Sequence, residues 1–386
     1  MNGAALESIS AADILRELVA IPTPSAVSNV PLLRWVEKFL KVRGWQVELL
    51  FWTDEAGVEK SNLIAWPGSS GLADHVDLAF VCHTDTVPFA TDWAGALTLE
   101  SREGLLHGCG SCDVKGALAC FLAAVSGLDS AAILSSVALI LTADEEIGCK
   151  GMERLLAADS FRNLHITSAI VSEPTSLRSG IAGKGYGLAR VTVEGREAHS
   201  AFPQQGRSAI SVAARLIAAI EDRAEIVEED VLFDPPRTTL NIGVISGGTA
   251  KNVLAGSCTF LVEWRAIPGE DPGRVLARIQ TIAREVEASE PKVKIQIEGL
   301  RAEPGFAPGI ASGSGGSLQQ RLAAQLEGEP IGISFGSEAS RIARIAGEVI
   351  VIGPGDMRTA HSDRECVPIA ELEIWTRVLG ELICVD

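Results

Sequence analysis

Residues 76–82, VDLAFVC, are apolar at every position but one and end directly on His83-Thr84-Asp85. A strand with no polar face must be buried on both sides, which is the condition of a largely parallel sheet covered by helices. Residues 132–143 (AILSSVALILTA) contain a second such strand, and 168–172 and 348–352 supply two more. Shorter apolar strands are expected at 45–52 and 62–66. Residues 11–20, 31–43, 116–128, 151–158, 317–326 and 369–384 read as helices, the first two from apolar side chains at i, i+3, i+4 and i+7, with Gly44 closing the second. Strands alternating with helices predict an α/β fold, a mostly parallel twisted sheet flanked by helices.

Near residue 181 the texture changes. Strands are expected at 187–194, 239–245, 258–266 and 293–298, with helices at 209–221 and 272–288. This strand–helix–strand–strand–helix–strand order is that of a ferredoxin-like α+β domain. The expected organisation is therefore one domain from residues 1–180 and 301–386, interrupted by an inserted domain at 181–300. The glycine-rich stretch 309–317 lacks the ending of a phosphate loop and reads as a flexible loop.

Composition excludes several partners. The formal net charge of −17 argues against a nucleic-acid backbone, which needs clustered Lys and Arg. The longest greasy stretch, 131–143, is shorter than the roughly 20 residues of a membrane span, so no membrane association is expected. The first residues have no basic region before an apolar run and do not read as a signal peptide. Eight scattered cysteines fit a reduced, cytoplasmic protein. Cys109 and Cys112 have CxxC spacing but no second pair to complete a thiolate metal site, and they read as small fillers flanking Asp113.

In an open α/β sheet, ligands gather at the carboxyl ends of the strands. Following each buried strand or turn to its end leads to His83, Asp113, the Asp144-Glu145-Glu146 run, Glu173, and finally His361 beyond residues 353–356. Carboxylates converging on one edge repel one another unless a cation compensates. Two imidazoles with three carboxylates suit zinc or a similar divalent ion. Asp85, two residues beyond His83 on the same face, is expected to accept the second ring N–H of His83.

The segments HTDTVP (83–88), GCGSCDVKG (108–116), TADEEIG (142–148) and SEPT (172–175), followed late in the chain by His361, resemble the acetylornithine deacetylase and succinyl-diaminopimelate desuccinylase family, which also includes glutamate carboxypeptidases and aminoacylases. The resemblance spans nearly the whole chain in order. It implies two divalent metal ions per chain, zinc with cobalt or manganese as alternatives, with Asp113 bridging them. His83 and Glu173 would complete one ion, Glu146 and His361 the other, and Glu145 would be the general base in hydrolysis of an amide bond. It also implies that His199 (GREAHSAFP) stabilises the oxyanion, often from the second subunit, and that Asn252 (GGTAKNV) and Arg265 (EWRAIPGE) contact substrate. A homodimer formed through the inserted lid domain follows from that role of His199. Cys109 and Cys112 stand where the family more often carries Arg or Thr and Asp or Ala, positions that are not ligands.

Residues 20–32 and 353–367 resemble the deacetylases more than the desuccinylases, and Glu338 in FGSEAS (335–340) is placed to face a substrate amine. The expected substrate is a small N-acyl amino acid, N2-acetylornithine first, in arginine biosynthesis. N-acetylcitrulline, N-succinyl-diaminopimelate and small peptides are alternatives. A reading of a different class is a non-catalytic metal- or redox-binding relative, against which the intact Glu145 and five ligands argue.

Overall fold

The computed structural model of the protein describes residues 7–68, 72, 74–128, 133, 134, 136–161, 163–224, 228–309 and 317–384. Apart from its two end residues, the 309–317 stretch read as a loop lies outside the described residues. The chain divides into two units, Met1–Ile181 with Pro308–Ile331 and Ser337–Asp386, and Ala182–Ala307 with Gly332–Gly336.

Up to the insertion the elements are α1 (Ala11–Val19), α2 (Val30–Lys41), β1 (Trp45–Thr53), β2 (Glu59–Pro67), β3 (His75–His83), β4 (Glu100–Arg102), β5 (Leu105–His107), α3 (Lys115–Ser126), β6 (Val137–Thr142), α4 (Lys150–Ala157), β7 (His165–Val171) and β8 (Gly180–Gly183). The insertion carries β9 (Tyr186–Glu194), α5 (Ala209–Arg223), β10 (Thr239–Gly247), β11 (Ser257–Arg265), α6 (Gly273–Ser289) and β12 (Lys294–Glu303). After it come α7 (Leu318–Ala323), β13 (Ile331–Ile333), α8 (Ala339–Ile342), β14 (Ala346–Val351), β15 (Cys366–Pro368) and α9 (Ile369–Ile383).

The main sheet runs β1-β2-β6-β3-β7-β14 before its short last strands β8 and β13. Its centre is parallel: β3 pairs with β6 (Cys82↔Leu141, His83↔Thr142) and with β7 (Val81↔Val171), and β14 pairs with β7 (Val351↔Val171). Antiparallel β2 and β1 close one edge. The parallel register brings the ends of β3, β6, β7 and β14 level, so the residues after them leave the sheet along one line.

Burial explains the arrangement. β6 is buried at all six positions, and β3 is buried from Leu78 onward. α3 is buried on nearly every side, packs against α1 and α9, and stacks Phe121 on Phe80 with ring centroids 4.9 Å apart. Each such Leu, Ile, Val or Phe contributes about 1.5–3 kcal/mol by leaving water. α1 begins where the Ser10 hydroxyl accepts the Asp13 N–H at 3.1 Å and buries Ile14, Leu15, Leu18 and Val19 on one face.

The second unit is a four-stranded antiparallel sheet in the order β10-β11-β9-β12, covered by α5 and α6. That is the ferredoxin-like arrangement. Its extent differs from the expected 181–300 because β12 stays paired with β9 as far as Glu303, and because Gly332 and Ile333 bond to Leu232 and Lys184. The strands β4, β5, β8, β13 and β15 have three or four residues each, too few for a periodic signal in the sequence. The last helix before β13 is also shorter than expected, ending at Ala323.

Candidate metal centre

His83 closes β3 with its side chain 2% exposed. Its Nδ1–H donates to the backbone carbonyl of Asp85 at 3.0 Å. A carbonyl can only accept, so Nδ1 carries a proton and Nε2 is turned toward the Asp113 Oδ1, 3.1 Å away. The Asp85 carboxylate does not take that ring N–H as the sequence suggests, because its nearer oxygen is 3.7 Å from Nδ1. It is engaged elsewhere, accepting the backbone N–H groups of Glu145 at 3.0 Å and Glu146 at 3.2 Å and the Ser25 hydroxyl at 2.7 Å. The main chain therefore orients the imidazole, and the carboxylate holds the neighbouring turn.

Asp113 sits in the turn between β5 and α3, 5% exposed. Its two oxygens face different imidazoles: Oδ1 faces His83, and Oδ2 lies 3.1 Å from the Nε2 of His361. The same His361 nitrogen is 3.1 Å from Glu146 Oε1. Glu173, 3% exposed, follows β7. Two groups of donors result, His83–Asp113–Glu173 and Asp113–Glu146–His361, each with its ligand atoms within 4.8 Å of one another. Asp113 belongs to both.

Buried charges hold the turns. Lys60 and Asp144, each 1% exposed, form an ion pair at 2.9 Å, and Lys60 Nζ also donates to the carbonyls of Ser25 (2.6 Å) and Val27 (2.8 Å). Asp144 and His361 both have φ of 58°, in the left-handed region that non-glycine residues rarely occupy. Strain of this kind persists only where the surroundings over-determine it. The Glu365 carboxylate accepts the N–H groups of Gly110 (2.9 Å), Cys112 (3.1 Å) and Asp113 (3.1 Å). Gly355, at φ 93°, packs so closely that a Cβ there would stand 2.5 Å from the Cys112 Cβ, so both positions must be small. Cys109 and Cys112 are buried free thiols, and burial pushes Cys109 up to about 11.

The electrostatics show what charge these groups require of one another. Burial pushes Asp113 upward, but hydrogen bonds from His361 and His83 outweigh it and hold the carboxyl well below the usual range. His361 is raised to about 10 by its bonds to Asp113 and Glu146. His83 is also raised, because Asp113 and nearby carboxylates overcome the burial that opposes its charge. Burial, with Asp113 and Glu145 close by, pushes Glu173 well above a normal carboxyl. The protein alone thus needs two imidazolium charges to reconcile its carboxylates. An all-nitrogen-and-oxygen donor set sharing one bridging carboxylate fits a pair of divalent cations in their place.

Glu145 is raised to about 8, chiefly by burial and then by Glu146, Glu338 and Asp85 acting against His83. The Cys149 thiol donates to its Oε1 at 3.4 Å. Glu338 is 1% exposed, its Oε1 has no close hydrogen-bond partner among the described residues, and burial raises it to about 7 against the opposing Thr142 hydroxyl.

The remaining expected site residues lie in the second unit. His199 bridges to Val253, and the Ala201 N–H donates to its Nδ1 at 3.1 Å, so the proton of the neutral ring is on Nε2. The same pairing brings Asn252 beside it, its carbonyl accepting the Ser200 N–H at 3.0 Å. Arg265, at the end of β11, donates from Nε to Glu263 at 2.9 Å and lies over the Tyr186 ring at 4.5 Å. Lys60 and Glu365 also hold the site. Glu365 had a local signal, standing four residues after His361, whereas nothing around Lys60 distinguishes it from a solvated lysine.

Among the described residues no helix is long and apolar enough to cross a membrane. The chain is similar to acetylornithine deacetylase from Myxococcus xanthus, 41% identical over 372 residues that cover 96% of this chain and 95% of that protein. In fold it is similar to a tripeptidase from Staphylococcus aureus, with a TM-score of 0.75 at 20% identity and 98% of each chain covered. It is also similar to a dinuclear metal-binding M20 peptidase from Bacillus subtilis, with a TM-score of 0.68 at 15% identity and 96% of each chain covered. Residues 79–384 match peptidase family M20/M25/M40, and this hydrolase chain belongs to that family.

Proposed function

We propose that the protein is a cytoplasmic deacetylase that hydrolyses N2-acetylornithine to ornithine and acetate, using two divalent ions, zinc with cobalt or manganese as substitutes. The observation that carries the reading is Asp113, whose two oxygens face one imidazole each at 3.1 Å and join the two donor groups. The full-length similarity to a protein named acetylornithine deacetylase supports the choice of substrate.

In this reading His83 and Glu173 complete one ion and Glu146 and His361 the other. When bound, such a pair supplies an acidified water and a Lewis acid for the amide carbonyl. Glu145 takes the proton of the attacking water and returns it to the leaving amine. Raised to about 8 in its half-buried turn, it suits transfer in both directions near neutrality. His199 presents Nε2–H as a donor for the oxyanion, from the partner subunit. Asn252 and Arg265 hold the substrate, Arg265 by its α-carboxylate. The buried Glu338 carboxyl, whose Oε1 has no close partner among the described residues, would accept from the substrate amine.

A homodimer through the second unit is supported by the sheet edge at β10, where Val244 and Ile245 are 58% and 53% exposed. Sedimentation of the active protein should give a dimer, and a fully active monomer would remove the in-trans role of His199. The substrate is tested by assaying the ion-loaded protein on N-acetylornithine, N-acetylcitrulline, N-succinyl-diaminopimelate and small dipeptides. N-acetylornithine should have the highest kcat/KM, and another substrate leading by about tenfold would overturn the assignment.

A further inference from the structure

We infer that Glu365 is a positioning residue whose carboxylate registers the Asp113 turn against the His361 turn and thereby sets the affinity of the ion held by Asp113, Glu146 and His361. The inference rests on the two-ion reading above. Glu365 is 2% exposed and accepts three backbone N–H groups, from Gly110, Cys112 and Asp113, across more than 250 residues of chain. Those donors form the turn that presents Asp113, and Glu365 lies four residues beyond His361 on one continuous segment. One side chain therefore ties together the two turns that supply two of the three donors in that group.

Simple support of the local fold is already provided by the main chain. The Gly108 N–H donates to the Glu365 carbonyl, and directly afterwards β15 pairs with β5 through Cys366↔His107, Val367↔Leu106 and Pro368↔Leu105. These contacts need no carboxylate. What the side chain adds is a single acceptor group under the turn that takes three backbone N–H groups at once. Its loss would leave three buried N–H groups unsatisfied and the turn free to shift.

The effect should be unequal between the ions. In the group His83–Asp113–Glu173, His83 is oriented by the Asp85 carbonyl and Glu173 is carried by β7, so only Asp113 depends on Glu365. In the other group both Asp113 and His361 depend on it, and only Glu146 has separate support, from Asp85.

The test is stepwise titration of the chelated protein with zinc or cobalt, followed by calorimetry, alongside the unfolding midpoint of each metal-free form. Glu365→Ala should weaken one binding step by about 10–100-fold while leaving the other within about threefold. Glu365→Gln keeps one acceptor oxygen for Cys112 and Asp113 but turns an NH2 toward the Gly110 N–H, so it should lie between Ala and the natural residue. If the Ala variant does not fold, the Gln variant decides. Two natural-affinity steps in both soluble variants, or equal weakening of both steps, would overturn the inference. Fewer than two ions on the unaltered protein would overturn the two-ion reading itself, and this inference with it.

Discussion

Asp85 holds Glu145 through the main chain: its carboxylate accepts the Glu145 N–H at 3.0 Å, while its own backbone carbonyl takes the ring N–H of His83 at 3.0 Å. One residue thus orients a candidate ligand with its backbone and the candidate base with its side chain. Asp85→Ala should leave the His83 contact in place but strand the N–H groups of Glu145 and Glu146. A buried unsatisfied donor costs about 1–3 kcal/mol, so kcat measured with saturating metal ion, since Glu146 loses its support too, should fall by about 10–100-fold. Kinetics with metal analysis check this, and a kcat within about twofold of the unaltered protein would refute it.

Glu145→Gln removes the proton acceptor without removing a ligand. Both ions should remain, and kcat should fall by at least about 10²–10⁴-fold, the contribution expected of a positioned base. A variant that turns over at near-normal rate would move the role to another residue.

Metal-free protein should give up protons when it binds ions. His361 is held up to about 10 by Asp113 and Glu146, and Glu173 is raised by burial and by Asp113. Both must be deprotonated to ligate, so affinity rises with pH, by about tenfold per unit for each proton displaced. The sign follows from the raised values: near neutrality the protonated, non-ligating form of His361 dominates, and both it and the protonated form of Glu173 are depleted as pH climbs. Calorimetry in buffers of different ionisation heat measures the release, and an affinity independent of pH would contradict it.

Lys60 and Asp144 are both 1% exposed and 2.9 Å apart. Removing one partner of a buried pair leaves an uncompensated charge, so Lys60→Met should cost about 3–5 kcal/mol in urea unfolding. Adding Asp144→Asn should recover part of that loss. A single-variant cost below about 1 kcal/mol would show that the pair is not isolated from water.

The α/β architecture was legible because β3, β6 and β14 carry their burial in composition: a strand apolar on both faces has few folds open to it. The alternation of β9 and the order of elements around it likewise disclosed the inserted unit, though its last residues escaped. Pairing of β12 out to Glu303 depends on β9, which local pattern does not record. The short strands β5 and β15 escaped for the same reason, since three residues define no period.

At the site, the sequence by itself determined which strand ends bear His83, Glu145, Glu146 and Glu173, and that Asp113 stands in the turn before α3, because such chain adjacency is a local property. Only the tertiary structure decided that β3, β6, β7 and β14 end level, that the two Asp113 oxygens separate toward His83 and His361, and that Asp85 serves Glu145 with its carboxylate. It alone disclosed the partners of Lys60 and Glu365, which lie 84 and more than 250 residues away in the chain. Hydrogen bonds and ion pairs act over about 3 Å of space. Which groups come within that reach is settled by the packing of distant segments, not by neighbours in sequence.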